Sequence, residues 1–180
     1  VLYKKRSKWL NTIDLWKNTY PFTYKETNKM LTQDVLKMLD IHLVTKQKFL
    51  FTSGVGNHQM MSCQFIDWRY PQRFISSGSL GVMGAGLPYA IGAQIANPDK
   101  LVIDIDGDSS FLMTMSDMKT IVENNLPVKI AIMNDSRQMM VNVWERLFFE
   151  ERYTATINKR NPNFKEVADA FGIKGFRCSG

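Results

Sequence analysis

Two acids, Asp108 and Asp135, are placed where side chains of their type could hold a metal ion. An apolar, β-branched run, Leu101 to Ile105, breaks off at Asp106-Gly107-Asp108, where Gly107 permits a tight turn. A second run, Val128 to Met133, ends on Asn134 and Asp135. If both runs are parallel strands joined by a right-handed crossover, their C-terminal ends open on one edge of a sheet. That edge is where open α/β sheets bind ligands. Hard carboxylate oxygens there suit Mg²⁺, which takes one or two carboxylates and leaves its other positions to water and phosphate. A single Asp in such a place is more often a turn residue or a solvated acid. The pairing, beside Gly107 and the hydroxyls of Ser109 and Ser110, favours a cation.

The elements that must position these acids are legible from pattern. Thr114 can cap a helix, with Asp117 as the capping-box acid and Met115, Met118 and Val122 on one face over roughly three turns. Asn124, Asn125 and Pro127 stop it. Lys48 to Ser53 reads as an earlier core strand that ends at Gly54-Val55-Gly56, with Asn57 and His58 opening a helix to about Trp68. Arg73 to Ser76 is a further short strand, and Gly84 to Ala96 a small-residue helix closed by Asn97-Pro98. Near the start, Trp9, Ile13 and Trp16 share one helical face before Tyr20-Pro21, and Thr32 can cap a helix to about Leu39. Met140 to Glu151 is helical, Asn161 caps and Pro162 starts a helix through Phe171, and Gly175 to Cys178 reads as a strand. Strands alternating with helices predict an α/β fold: an open, mostly parallel sheet with helices on both faces.

Composition excludes several classes. At 180 residues with 44 % hydrophobic and 22 % charged side chains, the chain can build a core, and no apolar run is long enough to span a bilayer. No signal peptide is visible, although Val1 is not a natural start. The net charge of +6 sits entirely in the leading segment: residues 1–50 carry ten Lys/Arg against four Asp/Glu, and residues 51–180 carry thirteen of each. A basic lead-in with no stripe of aromatic-spaced Arg is more often a solvated face or linker than a groove binder, so nucleic-acid binding is not expected. Cys63 and Cys178 fit neither a metal spacing nor a disulfide framework and read as small core residues in a reducing compartment. The glycines of Gly81-Val82-Met83-Gly84-Ala85-Gly86 run in the reverse order of the dinucleotide fingerprint, which argues against NAD.

The Gly-Asp at 107–108 followed by an Asn-Asn-like pair at 134–135 resembles the thiamine diphosphate motif of the pyruvate decarboxylase superfamily. The stretches GVGNHQM at 54–60, SGSLGVMGAGLPYAIGAQIA at 77–96, IDGDSSFLMT at 105–114 and MVNVWERLFFEERY at 140–153 narrow it. Together they resemble the catalytic subunits of the acetohydroxyacid synthase (acetolactate synthase) family, from about Trp9 onward.

That resemblance implies a helical lead-in over residues 1–40 and a diphosphate-binding domain over 41–180 that is incomplete at its C-terminus. It implies condensation of pyruvate with a second 2-keto acid, 2-ketobutyrate among them, to 2-acetolactate or 2-aceto-2-hydroxybutyrate. It places Val55, Gly56, Asn57, His58, Gly107, Ser109 and Ser110 at the diphosphate, Gly81 and Met83 at the aminopyrimidine, and Met140 and Trp144 at the substrate channel, Met140 also touching the cofactor. Asp108 and Asp135 by side chain, and Arg137 by its carbonyl, become Mg²⁺ ligands. The activating Glu lies on an N-terminal domain of a partner subunit, so 180 residues alone are expected to be inactive. FAD in the full-length enzyme, a dimer or larger assembly, and a regulatory small subunit follow from the family, which is cytoplasmic in bacteria and mitochondrial or plastid in eukaryotes. Glyoxylate carboligase, pyruvate oxidase or a non-catalytic relative are the alternatives. Three positions depart from the family pattern: Asn57 replaces Gln, Asp135 replaces Asn, and Met139 replaces Gly. If position 139 needs a positive φ, Met there costs on the order of 1–2 kcal/mol.

Overall fold

A computed structural model describes residues 2–43 and 48–179. Four strands, β1 (Phe49–Ser53), β2 (Phe74–Ser76), β3 (Leu101–Gly107) and β4 (Lys129–Met133), form one sheet in the order β2-β1-β3-β4. Every pairing is parallel. Eight α-helices are described: α1 (Leu2–Thr19), α2 (Thr32–Leu43), α3 (Asn57–Phe65), α4 (Gly86–Ala96), α5 (Asp108–Phe111), α6 (Met118–Glu123), α7 (Met139–Phe148) and α8 (Phe164–Ala170). This is the α/β architecture that the alternation of patterns predicts.

The two-residue period of the strands divides the core in two. Leu50 and Val102 point to one face and pack with Leu87 and Ala90 of α4, Phe111 of α5 and Met118 and Ile121 of α6. Phe49, Phe51, Ile103 and Ile105 point to the other and pack with Leu36 of α2 and with Ile66. Full burial of side chains such as Phe51, Leu36 and Leu87 stabilises the fold by roughly 1.5–3 kcal/mol each. α2 straddles residue 40 and plants Leu36 in the second cluster. Trp68 stacks between Phe51 and Phe74, at ring-centroid distances of 5.6 and 4.9 Å.

Several local expectations give way to tertiary partners. Thr114 does not cap a helix. Its hydroxyl donates to the Gly84 carbonyl (2.7 Å), a 3-10 turn spans Met115–Asp117, and α6 begins only at Met118. The helix that follows β3 starts at once, with Asp108 as its first residue. Asn161 and Pro162 do not open the last helix; Asn163 caps it, its side chain accepting from the Lys165 N–H. Gly175 to Cys178 is irregular rather than a strand. Both cysteines are exposed, Cys63 on α3 and Cys178 in the C-terminal coil, so neither is a core residue. The Trp9–Trp16 stripe of α1 is also exposed (57 and 51 %), the two indoles meeting edge to face at 5.5 Å. Among the described residues, no helix is long and apolar enough to cross a membrane.

Candidate functional site

The C-terminal edge of the sheet is built from three strand ends. β1 runs out at Ser53 into Gly54-Val55-Gly56 and α3, β3 passes through Gly107 into α5, and β4 ends at Met133 before the loop that leads to α7. Gly107 and Met133 are register partners, so Asp108 and Asp135 follow from neighbouring strand ends. A cavity of about 150 Å³ opens there. Val55, Gly56, Asn57, His58, Gly81, Met83, Gly107, Asp108, Ser109, Ser110, Asp135, Arg137 and Met140 all line it. Trp144, on the same helix as Met140, does not; it is 56 % exposed and stacks on Phe148.

His58 is a wedge rather than a free imidazole. It is buried, with its Nε2 3.2 Å from Asp106 Oδ1. A Cβ on Gly107 would come within 2.7 Å of its Nδ1, and one on Gly56 within 2.7 Å of its Cε1. Glycine at both positions is what lets the β1 and β3 loops close on the ring. Asp106 Oδ1 also accepts the Gly107 N–H at 2.9 Å. Ser110 Oγ accepts the Gly84 N–H at 2.9 Å, which ties α5 to the glycine-rich segment before α4.

Asp108 is 1 % exposed and forms no ion pair among the described residues. Its Oδ2 instead accepts two neutral carboxamide donors, Asn158 Nδ2 at 3.1 Å and Asn161 Nδ2. Asn158 Nδ2 lies 2.7 Å from Ser109 Oγ, and Asn161 Nδ2 donates to Asn134 Oδ1 at 2.9 Å. Asp135 reaches solvent, and its Oδ1 accepts the Arg137 N–H at 3.1 Å. Crowding by surrounding protein, and then the charge of Asp108, push its carboxyl up to about 6. Two carboxylates that repel across one cavity, with no basic side chain paired to either among the described residues, are relieved by a cation. Arg137 directs its guanidinium elsewhere, donating to Asn142 Oδ1 at 3.3 Å. The two carboxylates offer hard oxygen, a donor type that suits Mg²⁺ rather than a thiolate or imidazole metal, although no three His, Cys, Asp or Glu side chains converge among the described residues.

The loop behind Asp135 is held from outside. Arg137 bridges Ile157, Gln138 N–H donates to the Thr156 carbonyl (2.9 Å) and Asn158 N–H to the Ser136 carbonyl (2.8 Å). The segment that does this hangs on Glu145, which accepts from Thr154 N–H (2.7 Å) and Thr156 Oγ1 (2.6 Å). Ser136 takes the positive φ, +58°, while Met139 opens α7 and carries none, so the strain expected of Met139 is absent. Asn158, Asn161 and Glu145 were not candidates by sequence. An Asn before Pro carries the local signature of a cap, and only the chain's return past α5 discloses another use.

The family model "Thiamine pyrophosphate enzyme, C-terminal TPP binding domain" matches residues 54–180. The chain belongs to the thiamine pyrophosphate enzymes. Thiamine pyrophosphate is thiamine diphosphate, and the matched region contains the Gly54-Val55-Gly56 segment that follows β1 and the ends of β3 and β4. The mitochondrial acetolactate synthase catalytic subunit of Saccharomyces cerevisiae is 47 % identical over 178 residues, covering 97 % of this chain and 26 % of that protein. The acetolactate synthase large subunit of Porphyra purpurea is 42 % identical over 170 residues (93 % of this chain, 28 % of that protein). The chloroplastic acetolactate synthase of Arabidopsis thaliana is 38 % identical over 179 residues (95 and 26 %). The thiamine pyrophosphate enzyme domain described here spans about a quarter of the length of these curated relatives.

Proposed function

We propose that this chain provides the Mg²⁺–diphosphate half of an acetolactate synthase active site. The protein would condense pyruvate with a second 2-keto acid, pyruvate or 2-ketobutyrate, to 2-acetolactate or 2-aceto-2-hydroxybutyrate. The observation that carries this reading is the meeting of Asp108 and Asp135 at one cavity of a thiamine pyrophosphate enzyme domain. Its resemblance to acetolactate synthases along nearly its whole length supports the choice of reaction.

Once bound, thiamine diphosphate supplies the electron sink that allows a 2-keto acid to lose CO₂. The residues of this chain bind and orient. Asp108 and Asp135 would hold Mg²⁺ by their carboxylates, and Arg137 by its carbonyl, an ion that would screen the charge of the diphosphate. Ser109 and Ser110 would offer backbone amides and hydroxyls to the phosphates at the start of α5, where Gly107 lets the chain pass close, and Val55, Gly56, Asn57 and His58 line the same cavity. Gly81 and Met83 support the aminopyrimidine end, and Met140, with Trp144 beyond it, borders the substrate path. The helical lead-in, residues 1–40, connects to the rest of the protein. FAD, a regulatory subunit and an organellar setting, as in the relatives named mitochondrial or chloroplastic, belong to the same reading. The partner domain that carries the activating Glu completes the site.

The test is acetolactate formation from pyruvate by the full-length protein, with and without Mg²⁺, thiamine diphosphate and FAD. Product that depends on Mg²⁺ and thiamine diphosphate and is lost in Asp108→Asn supports the reading. Product formation that is indifferent to Asp108→Asn overturns it.

A further inference from the structure

Asp108 is the buried acid that lines the cavity, yet among the described residues it is restrained by amides and not by cations. Its Oδ2 is saturated by Asn158 and Asn161, while Oδ1 receives no hydrogen bond among the described residues. A carboxamide fixes the rotation of a carboxylate without neutralising it. An Arg or Lys in the same place would compete with any metal for the charge. The same two residues reach the other ligand-bearing element. Asn161 Nδ2 donates to Asn134 Oδ1, and Asn158 N–H to the Ser136 carbonyl, on either side of Asp135. The segment that carries them is anchored at buried Glu145.

We propose that Asn158 and Asn161 are positioning residues for the metal: they present Oδ1 of Asp108 to the cation and set its distance from the loop of Asp135 and Arg137. The inference rests on reading Asp108 as a Mg²⁺ ligand. Its consequence is selective. Mg²⁺ demands near-ideal octahedral geometry, whereas Ca²⁺ accepts irregular, more distant oxygens. Loosening Asp108 therefore penalises Mg²⁺ more than Ca²⁺, whereas loss of a merely structural contact has no reason to discriminate between them.

The experiment is calorimetric titration of the full-length protein with Mg²⁺ and with Ca²⁺ in the presence of thiamine diphosphate. It compares wild type, Asn158→Ala, Asn161→Ala and Asp108→Asn. The two alanine variants are expected to bind Mg²⁺ about tenfold to a hundredfold more weakly and Ca²⁺ less affected, so that the preference for Mg²⁺ falls. Should the alanine variants fail to fold, Asn158→Gln and Asn161→Gln, which shift the donor by one methylene, carry the same comparison. Unchanged Mg²⁺ affinity, or equal loss of both ions, in the asparagine variants while Asp108→Asn loses Mg²⁺ overturns this inference alone. Unchanged binding in Asp108→Asn overturns the underlying assignment and this inference with it.

Discussion

At the scale of single residues, the sheet edge concentrates acids whose environments differ. Asp104 is buried beneath Gly86 of α4 and near Asp106, and its Oδ2 and Asp106 Oδ2 find no hydrogen-bond partner among the described residues. Burial first, and then the Asp106 charge, hold the Asp104 carboxyl well above its ordinary 3.8, while the hydrogen bond from Thr52 Oγ1 (3.0 Å) partly offsets this. The folded protein therefore keeps a proton there that the unfolded chain releases. The stability linked to that proton is fully present below the unfolded value, near 3.8, and is lost as pH rises toward the folded one. Asp104→Asn is expected to flatten this fall, measured as the unfolding midpoint against pH; an unaltered slope contradicts it. Asp135 poses a different question, because the family pattern has Asn there. Asp135→Asn removes a like charge facing Asp108 and is expected to change the joint affinity for Mg²⁺ and thiamine diphosphate. Titration curves identical to wild type contradict its assignment as a ligand.

At the scale of elements, β1, β3 and α3 meet on the imidazole of His58. Gly107→Ala places a Cβ within 2.7 Å of that ring, an overpacking that typically costs about 1–3 kcal/mol. In a His58→Ala background the cost is expected to shrink, a coupling that a double-mutant cycle in urea unfolding reads directly. Additive effects contradict the wedge. Strand ends of this kind were legible in the sequence. The β-branched runs at 101–105 and 128–133 stop on Gly, Asn and Asp, and the period of two assigns their faces. Caps were not. Thr114 and Asn161 both carry cap chemistry, but Thr114 bonds Gly84 and Asn161 bonds Asp108, choices made by distant chain that local spacing does not encode. The coil at Gly175 to Cys178 makes the same point for strands, since β-propensity acts only through a paired neighbour.

At the scale of the molecule, the polarity of α7 is inverted. It buries Asn142 and Glu145 and exposes Trp144, Leu147 and Phe148 (64 %). A helix with its apolar face outward fits one that another surface covers. Residues 1–180 alone are accordingly expected to form no acetolactate from pyruvate, while the full-length protein does; turnover by the isolated chain contradicts the shared site. Trp144, Phe148 and Phe149 read in sequence as core or subunit interface alike, because an exposed aromatic and a core aromatic have the same pattern, and only burial separates the two.

The proposed site centres on one divalent cation shared by Asp108 and Asp135. The most direct measurement is the anomalous difference density of crystals of the full-length protein grown with Mn²⁺ and thiamine diphosphate. A single peak within coordination distance of both carboxylates and of the Arg137 carbonyl is predicted. A metal bound to only one of these acids, or seated away from the strand ends, contradicts it.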